Sequence, residues 1–330
     1  MIDVAVVGLG WWGRNVVGLL ADGERLRPVL GVDTEPAGRD WALAQGLAAT
    51  GDLRDALEDP RIDAVILCSP HRFHAQQIVA AAEAGKHVFC EKPFTTTVAE
   101  ADLALAAVRA AGVTLGIGHE RRFEPAVMEL QERCRSGDLG TPLVFEGNFS
   151  QDKFLALPPD NWRLSPALAP VGPLSATGIH LVDLAVSIFG EPESVWARLS
   201  TRVTNFANGD TLSITLGFAE GATASITAIL TTPFVGRMCV LGSEGWMEIR
   251  DRSHPENPTG WDVTTVHRDA GREERFVPPS PAVKDNLNRF AEAIEGVGHY
   301  PVTTAEIRAT VRAFEAITRS ALSGVVERLD

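Results

Sequence analysis

The feature that most limits how this chain can fold is Gly8-Leu9-Gly10-Trp11-Trp12-Gly13. It lies directly after an apolar run at residues 4–7 and directly before a helical pattern carrying Val16, Val17, Leu19 and Leu20. A strand entering a helix through GxGxxG needs to lack a side chain at three points. Gly8 permits the tight turn, Gly10 lets the backbone approach a pyrophosphate, and Gly13 lets the helix lie close to the sheet. The helix N-terminus then faces the anion. The next apolar run, residues 30–32, ends in Asp33, a carboxylate suited to a ribose diol. Its charge disfavours a 2′-phosphate, so NAD is the expected cofactor. NADP is the alternative, because Arg39 follows closely. Trp11 and Trp12 are bulky at the start of a helix and are assigned to the cofactor side.

The alternation continues. Residues 64–68, 87–90 and 113–117 read as buried strands, separated by helical stretches at 75–84, closed by Gly85, and at 97–112, opened by the capping box Thr97-x-x-Glu100. Strands alternating with helices imply βαβ units on a parallel sheet. The second half changes character. Short apolar or alternating runs at 195–203, 212–218, 222–230, 238–241 and 246–249 are joined by turn signals such as Asn208-Gly209-Asp210 and Ser243-Glu244-Gly245. They predict an open, mostly antiparallel sheet. Helices are expected at 283–295 and 304–323, and residues 252–260 as a surface loop. A chain of 330 residues exceeds one ordinary core. The expected division is an α/β Rossmann domain at 1–120 and an α+β domain at 121–330, with the C-terminal helix packing back on the first.

Composition excludes some partners. Lys and Arg number 30 against 43 Asp and Glu, a net charge of −13 that repels phosphate backbones, so nucleic acid is not an expected partner. No run approaches 18 uninterrupted apolar residues, so no membrane association is expected. The N-terminus lacks the basic start of a signal peptide, which points to the cytoplasm. Cys68, Cys90, Cys134 and Cys239 form no Cys-x-x-Cys pair and read as free, buried thiols.

The most specific chemistry is Lys86-His87-Val88-Phe89-Cys90-Glu91-Lys92-Pro93, a buried strand ending in a charged pair and a proline. Ligands of open parallel sheets bind beyond the carboxyl ends of the strands, which aims Lys92 at the nicotinamide end of a dinucleotide. With residues 8–13, Asp63-Ala64-Val65-Ile66-Leu67-Cys68-Ser69-Pro70, Ala84-Gly85-Lys86-His87-Val88, Glu91-Lys92-Pro93, Arg122-Phe123-x-Pro125 and Gly178-Ile179-His180-Leu181-Val182-Asp183, the chain resembles the Gfo/Idh/MocA family over most of its length.

The resemblance implies transfer of a hydride between nicotinamide and a secondary alcohol or ketone of a sugar, cyclitol or nucleotide sugar, without metal. Lys92 and His180 match the family's catalytic pair. Histidine titrates near neutrality and can take or return a hydroxyl proton, and lysine can hold the substrate oxygen and stabilise its developing charge. Ser69, Pro70, His74 and Glu91 are assigned with Lys92 to the cofactor border. Arg122, Trp162, Arg163, Thr177 and Asp183 are assigned with Lys92 and His180 to the substrate. The family also implies a homodimer or homotetramer formed through the C-terminal sheet. Two other readings remain: a non-catalytic NAD-binding regulator of the same fold, which Lys92 and His180 argue against, and an NAD-dependent glycosidase-like member, whose substrate-domain motifs are absent.

One departure stands out. Many members read Asp-x-Gly-x-His, whereas Ala176 takes the aspartate position here. Without that carboxylate, His180 is expected to titrate nearer its ordinary value of about 6.5, or lower if desolvated. Either Ser175, Thr177 or Asp183 orients a neutral His180, or the chain works mainly as a ketone reductase or has lost the chemistry. The first is favoured, because Lys92, Gly178 and His180 remain.

Overall fold

The fold is described from a computed structural model covering residues 1–329. The chain divides into two compact units, one of Met1–His119 with Val283–Arg308, the other of Glu120–Ala282 with the chain from Ala309 onward.

In the first unit the order is β1 (Ile2–Val7), α1 (Trp11–Leu20), β2 (Leu26–Val32), α2 (Pro36–Ala44), β3 (Ala48–Thr50), α3 (Leu53–Glu58), β4 (Ala64–Leu67), α4 (His74–Glu83), β5 (His87–Cys90), α5 (Val98–Ala111) and β6 (Leu115–Ile117). Its six strands lie in the order β3-β2-β1-β4-β5-β6, all parallel. Strand order reverses between β1 and β4, and such a switch point leaves a crevice at the carboxyl ends of the strands. Both faces are covered, so Val4, Val6, Ala64, Ile66, Val65 and Leu67 are fully buried. The apolar runs of the sequence are these central strands. β3 escaped the sequence reading because Ala48-Ala49-Thr50 is too short and too weakly apolar to show a period.

In the second unit α6 (Pro125–Ser136) leads into β7 (Pro142–Ser150), then α7 (Ile179–Phe189), β8 (Pro192–Ser200), β9 (Thr211–Phe218), β10 (Thr223–Ile229), β11 (Val235–Gly242), β12 (Gly245–Asp251), β13 (Trp261–His267) and β14 (Gly271–Val277). After α8 (Ala282–Ile294) and α9 (Thr304–Ser323), β15 (Glu327–Arg328) closes a nine-stranded sheet in the order β14-β13-β12-β11-β7-β10-β9-β8-β15. Every pairing is antiparallel except β7 with β10. One face of the sheet packs on α7 and the later part of α9 through Phe145, Ile214, Leu216, Val240, Leu181, Leu184, Phe314 and Ile317.

Several boundaries moved. β8 ends at Ser200 rather than at 203, because the Asp210 carboxylate captures the backbone N–H groups of Arg202, Val203 and Thr204 at 2.9 Å each and bends the chain into a loop. β7 was missed although Phe145 and Phe149 alternate with polar residues. β13 was missed although Trp261 and Val263 alternate with polar residues, and β14 was missed because most of its residues are charged and exposed. α8 belongs to the first unit. Phe290 stacks edge-on to Phe89 at 5.6 Å, and the Asn286 amide donates to the Ile117 carbonyl at 2.9 Å. The Tyr300 hydroxyl accepts from Ile117 N at 3.1 Å, so the exposed edge of β6 is tied off by side chains rather than left open to pairing.

The four cysteines are free. Burial pushes the thiols of Cys68 and Cys90 well up and those of Cys134 and Cys239 to about 11 and about 12. No helix among the described residues is long and apolar enough to cross a membrane.

Candidate active site

At the switch point of the first unit the three glycines do different work. Gly8 has φ of +88°, and a Cβ there would sit 2.8 Å from the backbone of Cys68 and Ser69. At Gly13 a Cβ would lie 1.9 Å from the Gly8 carbonyl oxygen, so any side chain would force α1 off the sheet. Gly10 is the opposite case: nothing stands within 4 Å of the position a Cβ would take, and no side chain caps the helix it begins. Bare backbone and uncapped N–H groups facing open space fit the pyrophosphate of a dinucleotide.

Asp33 lies beside this loop. Its Oδ2 accepts from Leu9 N at 2.6 Å and its Oδ1 from Glu35 N at 2.9 Å. The carboxylate therefore braces the glycine turn, with its remaining lone pairs open to a ribose diol. Gly38 is required beside it, since a Cβ there would meet Asp33 Oδ2 at 2.6 Å. The Arg39 guanidinium is turned under the loop, where Nη1 donates to the carbonyls of Asp33 at 2.8 Å and Thr34 at 2.7 Å. Asp33→Asn keeps an acceptor for Leu9 N and removes the charge. The expected result is a fall in NAD preference over NADP of about tenfold, the factor attached to 1.4 kcal/mol. Titration of both cofactors against parent and variant measures this, and unchanged preference would mean that the carboxylate is only a brace.

The ends of β4 and β5 carry the second group. Ser69 Oγ donates to Gln77 Oε1 at 2.5 Å, and Pro70 starts the helical turn leading into α4. His74 is fully buried, with Nδ1 2.9 Å from the Pro93 carbonyl and Nε2 2.9 Å from that of Ser69. Burial holds its ring toward the neutral form against the pull of those carbonyls. His74 thus ties the β4 loop to the Glu91-Lys92-Pro93 segment from behind. Lys92–Pro93 is a cis peptide. Glu91 is buried, and burial raises its carboxyl above the ordinary range while the Trp12 indole and Lys92 pull it down. Lys92 is half-buried, its N–H donating to Glu91 Oε2 at 3.2 Å. Trp12 packs at 5.4 Å from Trp11, which is 57% exposed.

In the second unit His180 is the second residue of α7, preceded by a π-helical turn over Leu174–Gly178. Its side chain is 4% exposed, and its Nδ1 stands 3.7 Å from Glu120 Oε2. The ring lies 5.8 Å from Phe149, which lies 5.6 Å from His254. His254, on the stretch expected as a plain surface loop, turns inward with Nε2 2.8 Å from Gln151 Oε1. Glu120, Phe149, Gln151 and His254 were not singled out from sequence. The only available signal was the position of Glu120 two residues before the Arg122-Phe123 motif.

The expected substrate residues divide. Arg122 and Asp183 meet each other: Nε and Nη2 of the arginine each donate to a carboxylate oxygen at 2.7 Å, and both side chains are buried. Thr177 Oγ1 donates to the Pro173 carbonyl at 3.3 Å and Ser175 Oγ to that of Pro170 at 2.6 Å. Asn161 Oδ1 caps the Trp162 turn by accepting from Arg163 N at 3.0 Å, and the Arg163 guanidinium lies 4.5 Å from the Trp162 ring centre. Burial lowers the Arg163 pKa, against an opposing pull from Glu256.

A parallel sheet with its glycine cradle and acidic strand end at the switch point defines a dinucleotide-binding protein, and a lysine just past the end of β5 gives it a group suited to redox work on an oxygen substituent. Residues 2–119 match the family described as an oxidoreductase family with an NAD-binding Rossmann fold, and residues 127–248 match the GFO/IDH/MocA C-terminal domain. Two relatives come from Bacillus subtilis strain 168. The uncharacterized oxidoreductase YrbE is 35% identical over 78% of this chain and 75% of its own. Scyllo-inositol 2-dehydrogenase (NAD(+)) is 30% identical over 100% of this chain and 96% of its own. Among solved structures, aldose-aldose oxidoreductase from Caulobacter crescentus, complexed with glycerol, superposes with a TM-score of 0.86 at 28% identity, covering 99% of both chains. The chain belongs to the GFO/IDH/MocA oxidoreductase family.

Proposed function

We propose that this enzyme interconverts a secondary alcohol and a ketone on a sugar or cyclitol, using NAD. The observation that carries the reading is the pairing of an uncluttered glycine cradle at the end of β1, braced by Asp33, with Lys92 just past the end of β5 in the same sheet. The inositol and aldose enzymes among its relatives support the substrate class.

A bound nicotinamide supplies the hydride acceptor for oxidation and the hydride donor for reduction. Residues 8–13 hold the pyrophosphate, and Asp33 selects the ribose diol. The Lys92 ammonium holds the substrate oxygen and stabilises the charge that grows on it as the proton leaves. His180 takes that proton at its ring and returns it in the reverse direction. Trp162, Arg163 and the Phe149–His254 aromatic pair supply an amphipathic wall suited to a polyol, with apolar faces for the ring carbons and polar tips for hydroxyls.

A panel of inositols, aldoses and nucleotide sugars, each assayed with NAD and with NADP at the reduced-nicotinamide absorbance band, tests the reading. Turnover is expected with at least one unphosphorylated polyol or sugar and NAD. NAD binding without turnover on any panel member would instead favour a cofactor-sensing regulator.

A further inference from the structure

We infer that Glu120 is the positioning carboxylate of His180, holding the ring so that one defined nitrogen handles the substrate proton. The inference rests on the assignment of His180 as the proton acceptor. The geometry is local to the second unit. Glu120 Oε2 is 3.7 Å from His180 Nδ1, the two side chains being 15% and 4% exposed. The Nδ1 atom itself is buried. At 3.7 Å the pair is an electrostatic approach rather than a hydrogen bond. A histidine used as a base needs its ring fixed in one tautomer, and a carboxylate facing Nδ1 favours the proton there and leaves Nε2 with the lone pair.

The groups on His180's own element do other work. One turn earlier, at the i−4 position that shares its helix face, stands the methyl group of Ala176. Ser175 and Thr177 spend their hydroxyl protons on the carbonyls of Pro170 and Pro173. Asp183, one turn later, gives both oxygens to the Arg122 fork.

Glu120 is itself held in place. It begins the helical turn Glu120–Phe123, whose next two residues are buried arginines locked by their own carboxylates: Arg121 by Glu124 and Asp251, Arg122 by Asp183. Arg122 and His180 thus tie the turn to α7 from two sides, which fixes where the Glu120 side chain can reach. Phe149 lies 5.8 Å from the His180 ring, tilted against it, and also lies under Arg121 at 5.3 Å.

The test reads the imidazole directly. Full-length protein labelled with ¹⁵N-histidine is compared with Glu120→Ala at about pH 9, well above the ordinary histidine value of about 6.5. The His180 signals are those missing in His180→Ala. In the parent, Nδ1 is expected to carry the proton. In Glu120→Ala that preference is expected to be lost, and Ala176→Asp added to Glu120→Ala is expected to restore it, because a carboxylate one helical turn away reaches the same face. Glu120→Gln serves where the alanine variant melts early, and it is expected to weaken the preference.

Turnover on the polyol found by the panel should show the same order. Glu120→Ala is expected to lower kcat at least about tenfold, a part of the 10²–10⁴ that a positioned base contributes, with KM within about threefold. The double variant should recover most of the loss. An unchanged His180 spectrum in both Glu120 variants overturns the inference while leaving His180 as the base. Normal turnover in His180→Ala overturns the assignment beneath it.

Discussion

Lys92→Ala is expected to lower kcat by about 10²-fold or more, the range for a group that stabilises charge at a reacting oxygen or moves its proton. NAD affinity should change by less than about threefold, since the pyrophosphate is proposed to lie in the cradle of Gly8, Gly10 and Gly13 and the ribose diol at Asp33. Trp11 and Trp12 open α1 beside that cradle, so tryptophan fluorescence on NAD titration reads binding independently of turnover. Lys92→Arg keeps the charge but spreads it over a planar fork, and it should not restore full activity. Near-normal turnover in Lys92→Ala would remove the lysine from the chemistry.

The second large effect is on stability. Arg121 is 1% exposed and shares its charge between Glu124 Oε2 at 3.0 Å and Asp251 Oδ1 at 2.7 Å. Asp251 also accepts from the Trp261 indole at 2.8 Å. Arg121→Met leaves two buried carboxyl groups with no cation. The cost should be about 3–5 kcal/mol in denaturant unfolding, as when one partner of a buried pair is removed. A loss under about 1 kcal/mol would show that the cluster relaxes into water.

One cation between two acids cannot neutralise both. Burial, reinforced by the charges of Asp251 and Glu120 and opposed by Arg121, pushes Glu124 from 4.5 up to about 8. A raised folded-state value means that the proton on Glu124 favours the fold. That contribution is fully present below about pH 4.5 and is lost as pH rises to about 8. Glu124→Gln cannot ionise, so its stability relative to the parent should improve between pH 5 and 8. A parent-to-variant difference that stays flat across that range would contradict the protonated state.

Much of the first unit was legible because its constraints are local in sequence. A strand buried on both faces must be an unbroken apolar run, so residues 4–7, 64–67 and 87–90 announce themselves. A glycine needed for φ of +88°, or where a Cβ would lie 1.9 Å from a carbonyl oxygen, cannot be another residue without backbone movement, so the cradle is legible as well. Edge and short strands were not: β3 has three residues, and β14 reads Gly-Arg-Glu-Glu-Arg-Phe-Val because little of it is buried. The Asp-x-Gly-x-His comparison located a missing carboxylate at Ala176, but where the hydroxyls of Ser175 and Thr177 and the carboxylate of Asp183 are directed, to Pro170, Pro173 and Arg122, is not readable from their nearness in sequence.

The sequence by itself determined the class of fold, the cofactor cradle and the chemical types available at Lys92 and His180. These follow from residue identity and short-range spacing. Only the tertiary structure decided which polar groups are consumed by one another. Arg122 and Asp183, 61 positions apart, close on each other as a buried pair, and His74 is spent on two carbonyls. Glu120 comes to face His180 across 60 residues, because β7 and the turn ahead of α6 fold against α7. Such pairings depend on the packing of elements distant in the chain, and no periodicity or spacing along the chain encodes them.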